Sequence, residues 1–439
     1  MKRPFLFAYC LLFTAYLSFS QTTLYNGGTD IAVDNGAIVY VDGHIINDVN
    51  GFIHNSGDIY LTKNWTNKEP SGCLDPNTGT VILDGATTQT ITGTQSTTFN
   101  NLDCRKSSKK SLAIDTYVGG TTGVLMLKSS PFELNSNTLI VTNPLPAAIT
   151  RTSGYIISET EPAPTGTGYG TLEWRMGNSP AGSNYTYPFG TVTSSYIPFV
   201  FNINTAGVQT TNGAVAVSTY PTLVTATPNN RPLPTNVSNL NDLSNITTPE
   251  AAVVCADRFW ITDALNYTAN PNANIYFTYT DADWSTVGGS TNKINEDSLK
   301  AWRWNGTQWQ LPTVGFGIPA SNQVLAPSIN TFSQWTLKGV EPVIPPCGDF
   351  FLPNAFSPNG DGKNDYFKPR NNCIASIDFR IFNRWGNPVY ISTDPADAGW
   401  DGSTPKGKDG SEGVYIYILQ ATLADGTHFD KRGSVSLIK

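Results

Sequence analysis

Charge is scarce in this chain. Asp, Glu, Lys and Arg supply 14% of its 439 residues, against about a quarter in an average soluble domain. The shortage falls hardest on the basic residues, 27 against 34 acidic ones, for a net charge of −7. Such a chain lacks the basic face that holds nucleic acid, so no nucleic-acid partner is expected. Histidine is nearly absent, with three residues, and the six cysteines include no Cys-x-x-Cys pair. A zinc enzyme is thereby left without ligands. Stretches of Ala, Leu, Glu and Lys at helical spacing are few, which excludes helical bundles and coiled coils. Glycine (39), proline (29) and aromatic residues (11%) are abundant instead. Aromatics at low charge exclude a disordered chain. At roughly 150 residues per domain, the length predicts about three domains of an all-β protein.

The first twenty residues predict the compartment. Lys2 and Arg3 precede an apolar run from Pro4 to Phe19, which is interrupted by Tyr9, Cys10, Thr14 and Tyr16. Ser18-Phe19-Ser20 has the small-x-small pattern of a cleavage site. Residues 1–20 read as a signal peptide, with Gln21 opening the exported chain. No later segment is apolar enough to cross a bilayer as a helix, so no transmembrane helix is expected in the mature chain. Export permits disulfides. Cys347 and Cys373 are the candidate disulfide, closing a loop worth on the order of 3–4 kcal/mol, and Cys73 with Cys104 is a second candidate pair.

Three regions follow. Residues 21–150 hold short β-like pieces such as Ala37–Val41, Gly57–Leu61, Thr80–Leu83 and Gly123–Leu127, separated by Gly and Asn. They recur about every 20 residues, the length of one rung of a β-solenoid. Asn and Gly tolerate the positive φ of tight corners. A β-sandwich of the same short strands is the alternative. Residues 151–340 have longer alternating strands and read as a β-sandwich passenger domain. Within it, Ala301-Trp302-Arg303-Trp304-Asn305-Gly306-Thr307-Gln308-Trp309 predicts a hairpin with a two-residue Asn-Gly turn. That register pairs Trp304 with Thr307 and Trp302 with Trp309, and puts three tryptophans on one face. Such a face either packs a core or stacks on sugar rings. Residues 341–346, Glu-Pro-Val-Ile-Pro-Pro, form a stiff Pro-rich linker. Residues 347–439 read as a small Ig-like β-sandwich.

The last region carries a string of motifs in order. Pro353-Asn354-Ala355-Phe356-Ser357-Pro358-Asn359-Gly360-Asp361-Gly362 is followed by Asn364-Asp365. Then come Asn383-Arg384-Trp385-Gly386, Trp400-Asp401-Gly402, Gly413-Val414-Tyr415 and the closing Gly433–Lys439. This series closely resembles the gliding-motility-associated C-terminal domain of Bacteroidetes, the type B sorting signal of the type IX secretion system. The resemblance implies a chain that enters the periplasm, folds there and crosses the outer membrane under guidance of this domain, with the secretion translocon as its partner. It implies a secreted or cell-surface protein. The two preceding regions resemble, in style alone, adhesin-like β proteins on Bacteroidetes surfaces.

Sites of chemistry are sparse. In the Asn359–Asp365 loop, Asn359, Asp361 and Asp365 are spaced as calcium ligands, with Gly at the sharp turn, but Lys363 stands where another ligand belongs. A turn closed by side-chain to backbone hydrogen bonds fits the same residues. No other cofactor is assigned. His44, His54 and His428 lie outside any nucleophile motif, and no catalytic residue is assigned. Asp30, Asp34, Asp42, Asp48 and Asp58 neighbour one another in the repeats, with Lys63 as the nearest positive charge. The reading is a non-catalytic surface or secreted protein, adhesin-like or structural. The alternative is a protein that binds surface glycans or degrades polysaccharide.

Overall fold

The computed structural model describes residues 23–75, 78–159, 168–226, 229–240, 252–340, 350–371, 373–407 and 410–438. The expected signal peptide, the expected Pro-rich linker and Cys347 lie outside them. The chain divides into two compact units, Met1–Glu341 and Pro342–Lys439. The described residues are nearly all β, with one four-residue α-helix, Asp281–Trp284.

The first unit begins as a β-solenoid. Each rung is made of strands of two to five residues, and equivalent strands of successive rungs pair in parallel. One inward column runs Val39, Ile59, Val81, Leu102, Leu125, Ile149, so a rung takes 20 to 24 residues. From Ile59 to Leu125 this column is fully buried, while the first rung's Val39 is half-buried. Short apolar strands of this kind cannot bury a face alone; each rung is covered by the next.

The corners use asparagine in a way that positive φ does not explain. Asn26, Asn47 and Asn67 stack in register and point inward, fully buried. Asn26 Nδ2 donates to Asn47 Oδ1 (2.9 Å), and Asn47 Nδ2 to Asn67 Oδ1 (3.4 Å) and to the Gly51 carbonyl (2.9 Å). The ladder satisfies backbone groups that a turning chain leaves open. Left-handed backbone falls on other residues, Asn50 and Asn135 among them.

The solenoid and the sandwich share a sheet. Thr138–Val141 pairs in parallel with Thr171–Trp174, which pairs antiparallel with Val208–Pro221. One nine-stranded sheet therefore starts in the rungs and ends at Trp309–Gln310. A five-stranded sheet, Asn184–Tyr187, Phe199–Thr205, Asn272–Thr278, Gln323–Ile329 and Phe316–Ile318, faces it. Trp174, Trp260, Trp335, Tyr187 and Phe277 fill the space between, in one cluster that extends back to Val33.

Two sequence expectations change here. The tryptophan hairpin pairs Trp304 with Trp309, with a four-residue loop. The cause is Asn305, whose Oδ1 accepts from Thr307 N, Thr307 Oγ1 and Gln308 N, each at 3.0 Å. Cys73 and Cys104 are separate buried thiols, not a disulfide. Burial pushes both up to about 12, and Cys73 Sγ lies 3.9 Å from Thr97 Oγ1.

The second unit is built on a five-stranded sheet in the order Ala355–Phe356, His428–Leu437, Gly413–Leu423, Ile374–Phe382, Pro388–Ser392. Its inner face is covered by loops joined through the bridges Phe351 to Arg370 and Phe367 to Trp400. This opposing layer is a thin one. Its core draws only on the unit's own residues.

Candidate functional site

The motif residues of the second unit separate into a packed group and a displayed group. Phe356, Trp400 and Tyr415 come from distant stretches of sequence and meet in the core. The Phe356 and Trp400 rings are 5.2 Å apart, and the Trp400 and Tyr415 rings 4.7 Å apart, edge to face. Their polar atoms are satisfied by backbone: Trp400 Nε1 donates to Ser403 O (2.7 Å) and Tyr415 Oη to Ser411 O (2.9 Å). Gly402 follows Trp400 at φ +82°, where a Cβ would stand 3.1 Å from Pro358 Cγ and Leu437 Cδ1. The motif glycine is thus required both by its backbone and by its neighbours. Asp401 Oδ1 accepts from Ser403 N (2.9 Å) and fixes the same turn. The Asn354 carbonyl accepts from Ser436 N (2.9 Å), which ties the Pro353-Asn354 entry to the closing strand.

The Asn359–Asp365 loop is closed by its own side chains. Asp365 accepts from Gly360 N through Oδ1 and from Gly362 N through Oδ2, both at 2.8 Å. Asp361 Oδ1 accepts from Lys363 N (2.8 Å), and Asn359 Oδ1 from Asp361 N (3.1 Å). The Asn364 carbonyl accepts from Ser357 N (3.0 Å). The oxygens spaced as calcium ligands are thus engaged by amide N–H groups, the arrangement of a rigid turn.

Other motif residues are displayed. Asn383 Oδ1 accepts from Trp385 N and Asn387 N (3.0 Å each), which forms the Asn383-Arg384-Trp385-Gly386 turn. The Trp385 ring projects from it, 78% exposed, with the Arg384 guanidinium 5.9 Å from its centre. Val414, beside Gly413, is 56% exposed. Ile416, two residues along the same strand, and Ile391, on the edge strand Pro388–Ser392, are exposed as well.

Residues 350–437 match the CHU_C Type IX secretion signal domain. The C-terminal unit is a type IX secretion signal domain. This secretion signal domain directs the chain to the outer cell surface or into the medium, and implies contact with the type IX machinery. The packed aromatics and the Asp365-closed loop are what give the signal domain a fixed shape. No helix among the described residues is long and apolar enough to cross a membrane. A comparison with curated proteins returned no match.

In the passenger, the structure scatters the remaining candidates. Trp304 and Trp309 are 2% and 1% exposed; they form a cluster with Tyr220, Phe259 and the covering loop residues Val237 and Leu240. Trp309 Nε1 donates to Asn239 O (2.8 Å). These rings are core, so the sugar-stacking reading of this face is withdrawn. Half-buried Trp302 lies under Lys338, with Nζ 4.9 Å from its ring centre. His44 Nδ1 accepts from Asn64 N (3.3 Å), and His428 Nδ1 is 2.9 Å from Thr422 Oγ1. His54 pairs with Asp75 (3.3 Å) beside a depression of about 380 Å³ lined by Asp30, Asn50, Phe52 and Glu69. Among the described residues no group of three His, Cys, Asp or Glu side chains gathers as metal ligands.

One polar cluster has no sequence signal. Arg258, Glu159, Asp257 and Asp283 are all buried at one end of the sandwich. They come from three separate stretches of chain, and no spacing links them.

Proposed function

We propose that the exported passenger is a non-catalytic surface element, adhesin-like or structural. The supporting observation is the shared sheet: rungs and sandwich are hydrogen-bonded into one nine-stranded sheet over one continuous core. Such a body is stiff, because its two parts share ladder hydrogen bonds through Thr138–Val141 and Thr171–Trp174. Most of its tryptophans are buried in packing. What it offers a partner is an extended outer surface. The test uses the purified full chain. The expected result is retention on whole cells or matrix components with no new reducing ends released from a polysaccharide panel. Release of reducing ends would overturn the reading.

A surface-glycan reading draws support from the solenoid flank. There the half-buried Phe52 ring lies 4.6 Å from His54 in the depression that Asp30 and Glu69 line. An aromatic ring flanked by carboxylates suits a polyhydroxyl ligand. Glycan-array binding lost in Phe52→Ala, with unchanged thermal stability, would favour it over a purely structural role.

A further inference from the structure

The sheet of the signal domain has two unlike faces. On Gly413–Leu423, the side chains of Tyr415, Leu419, Ala421 and Leu423 point inward, the first three into the core cluster. Side chains alternate along a strand, so Val414, Ile416 and Ile418 lie on the other face. The register extends that face to the neighbouring strands. Ile416 pairs with Phe382 on one side and Ser434 on the other, Ile418 pairs with Arg380 and Arg432, and Arg380 pairs with Ile391. Phe379 and Ile381, which alternate with Arg380 and Phe382, are core residues. Val414, Ile416 and Ile418 thus form a column with Phe382 beside it and Ile391 one strand further. Val414, Ile416 and Ile391 are 56%, 48% and 58% exposed. One apolar side chain at a surface is ordinary, but several on one face mark a contact surface.

The turn that joins Ile374–Phe382 to Pro388–Ser392 stands at the end of this face and carries Arg384 and Trp385. The turn itself needs Asn383, whose Oδ1 accepts from two backbone N–H groups, and Gly386 at φ +77°. It does not need the indole, since Trp385 gives the turn only its backbone N. Val414 stands in the same position within Gly413-Val414-Tyr415, where Tyr415 alone of the two side chains is packed. The purpose of these motif side chains lies in what the surface meets. Aromatic and arginine side chains among aliphatic ones are the composition of an interface centre. Arg380 and Arg432 are held by Asp378 (2.7 Å) and Asp430 (3.9 Å), whereas Arg384 makes no ion pair among the described residues.

We propose that this face, with Trp385 at its end, is the surface by which the type IX machinery holds the signal domain. The partner is a protein of that machinery presenting an apolar patch with a carboxylate for Arg384. The proposal rests on the C-terminal unit being the secretion signal. The packed motif residues set the shape of the domain, and the displayed ones are what the machinery reads.

The test follows full-length variants by fractionation of cells that carry the machinery. Trp385→Ala and Ile416→Asp are each expected to lower the surface and medium fraction about tenfold, the effect of losing one central anchor of an interface. The protein should accumulate in the periplasm with an unchanged melting temperature. Arg384→Glu is expected to be retained more than Arg384→Lys. Phe351→Ser, at an exposed aromatic on the loops over the inner face, is the control and should be exported like wild type. Should Ile416→Asp fail to fold, a photo-crosslinking residue at position 416 supplies a second readout. It is expected to link to a type IX component, and one at position 351 is not. Normal export of Trp385→Ala and Ile416→Asp, while a chain lacking 347–439 is retained, would overturn the proposal and leave the secretion signal in place. Export of the deleted chain would remove the signal and the proposal with it. A dimer of the purified chain that Ile416→Asp splits would assign the face to a second copy and overturn the proposal as well.

Discussion

Asn47 sits in the middle of a three-asparagine stack, fully buried, and its amide serves Asn26, Asn67 and the Gly51 carbonyl. Asn47→Ala removes a donor and an acceptor that no water replaces, so unfolding should become easier by about 1–3 kcal/mol, read as a lower urea midpoint. Lys110 makes the opposite case. It is buried in the solenoid with Nζ against Gly85 O (3.1 Å) and Ser108 Oγ (2.9 Å), and burial lowers its pKa from 10.5 to about 8. Between those values the unfolded chain holds the proton and the folded chain has released it. Stability contributed by this residue therefore rises with pH across that window, and the penalty is fully present below it. The difference in melting temperature between wild type and Lys110→Met is expected to change between pH 7 and pH 9.5 in that direction. At this scale the sequence was only partly readable. Repeated Asn marked corners, yet nothing local distinguishes an inward ladder residue such as Asn47 from an outward left-handed one such as Asn50. Arg258 and its carboxylate partners Glu159 and Asp283 were invisible, because these residues meet only after the sandwich closes.

At the scale of elements, the inward columns explain why strands and rungs were legible. Alternating apolar residues recurring about every 20 positions admit few other arrangements, and Val81, Leu102 and Leu125 fall into line accordingly. The tryptophan hairpin was legible as a hairpin but not in register. Asn305 and Gly306 satisfy a two-residue turn on paper, whereas three hydrogen bonds to Asn305 Oδ1 hold a longer loop. The consequence is that Trp304 and Trp309 face each other across the strands, 5.6 Å apart, and seal the outer cluster. Trp309→Ala should cost about 3–5 kcal/mol of stability as a cavity mutation, measured by chemical denaturation, with no selective effect on glycan binding. In the signal domain, Gly402→Ala places a methyl at φ +82° against Pro358 and Leu437. A loss of about 1–2 kcal/mol is expected from the left-handed backbone alone, seen as a lower melting temperature of the C-terminal transition and as reduced export.

The whole molecule joins two units whose cores are separately closed. The passenger's clusters contain only residues before the Pro-rich stretch, and the signal domain's cluster only residues after it. The signal domain was legible because its motif residues are structural requirements: a core aromatic at Phe356, Trp400 or Tyr415, or a turn former at Asp365 or Asn383. The passenger's task was not legible because its side chains, as far as packing shows, serve the sheet itself. Separate cores have a consequence for deletion. Removing residues 347–439 takes no side chain from the passenger's hydrophobic clusters, so the truncated chain should fold with an unchanged melting temperature. It should nevertheless accumulate in the periplasm, since the part that engages the type IX machinery is gone. Fractionation of cells expressing both forms checks this, with the melting curve of the truncated protein run alongside. A truncated chain that still reached the surface would mean that the passenger carries an export determinant of its own. A truncated chain that failed to fold would mean that the two cores are not independent. Retention of a folded passenger is the single outcome that separate closure and a signal confined to the C-terminal unit jointly require.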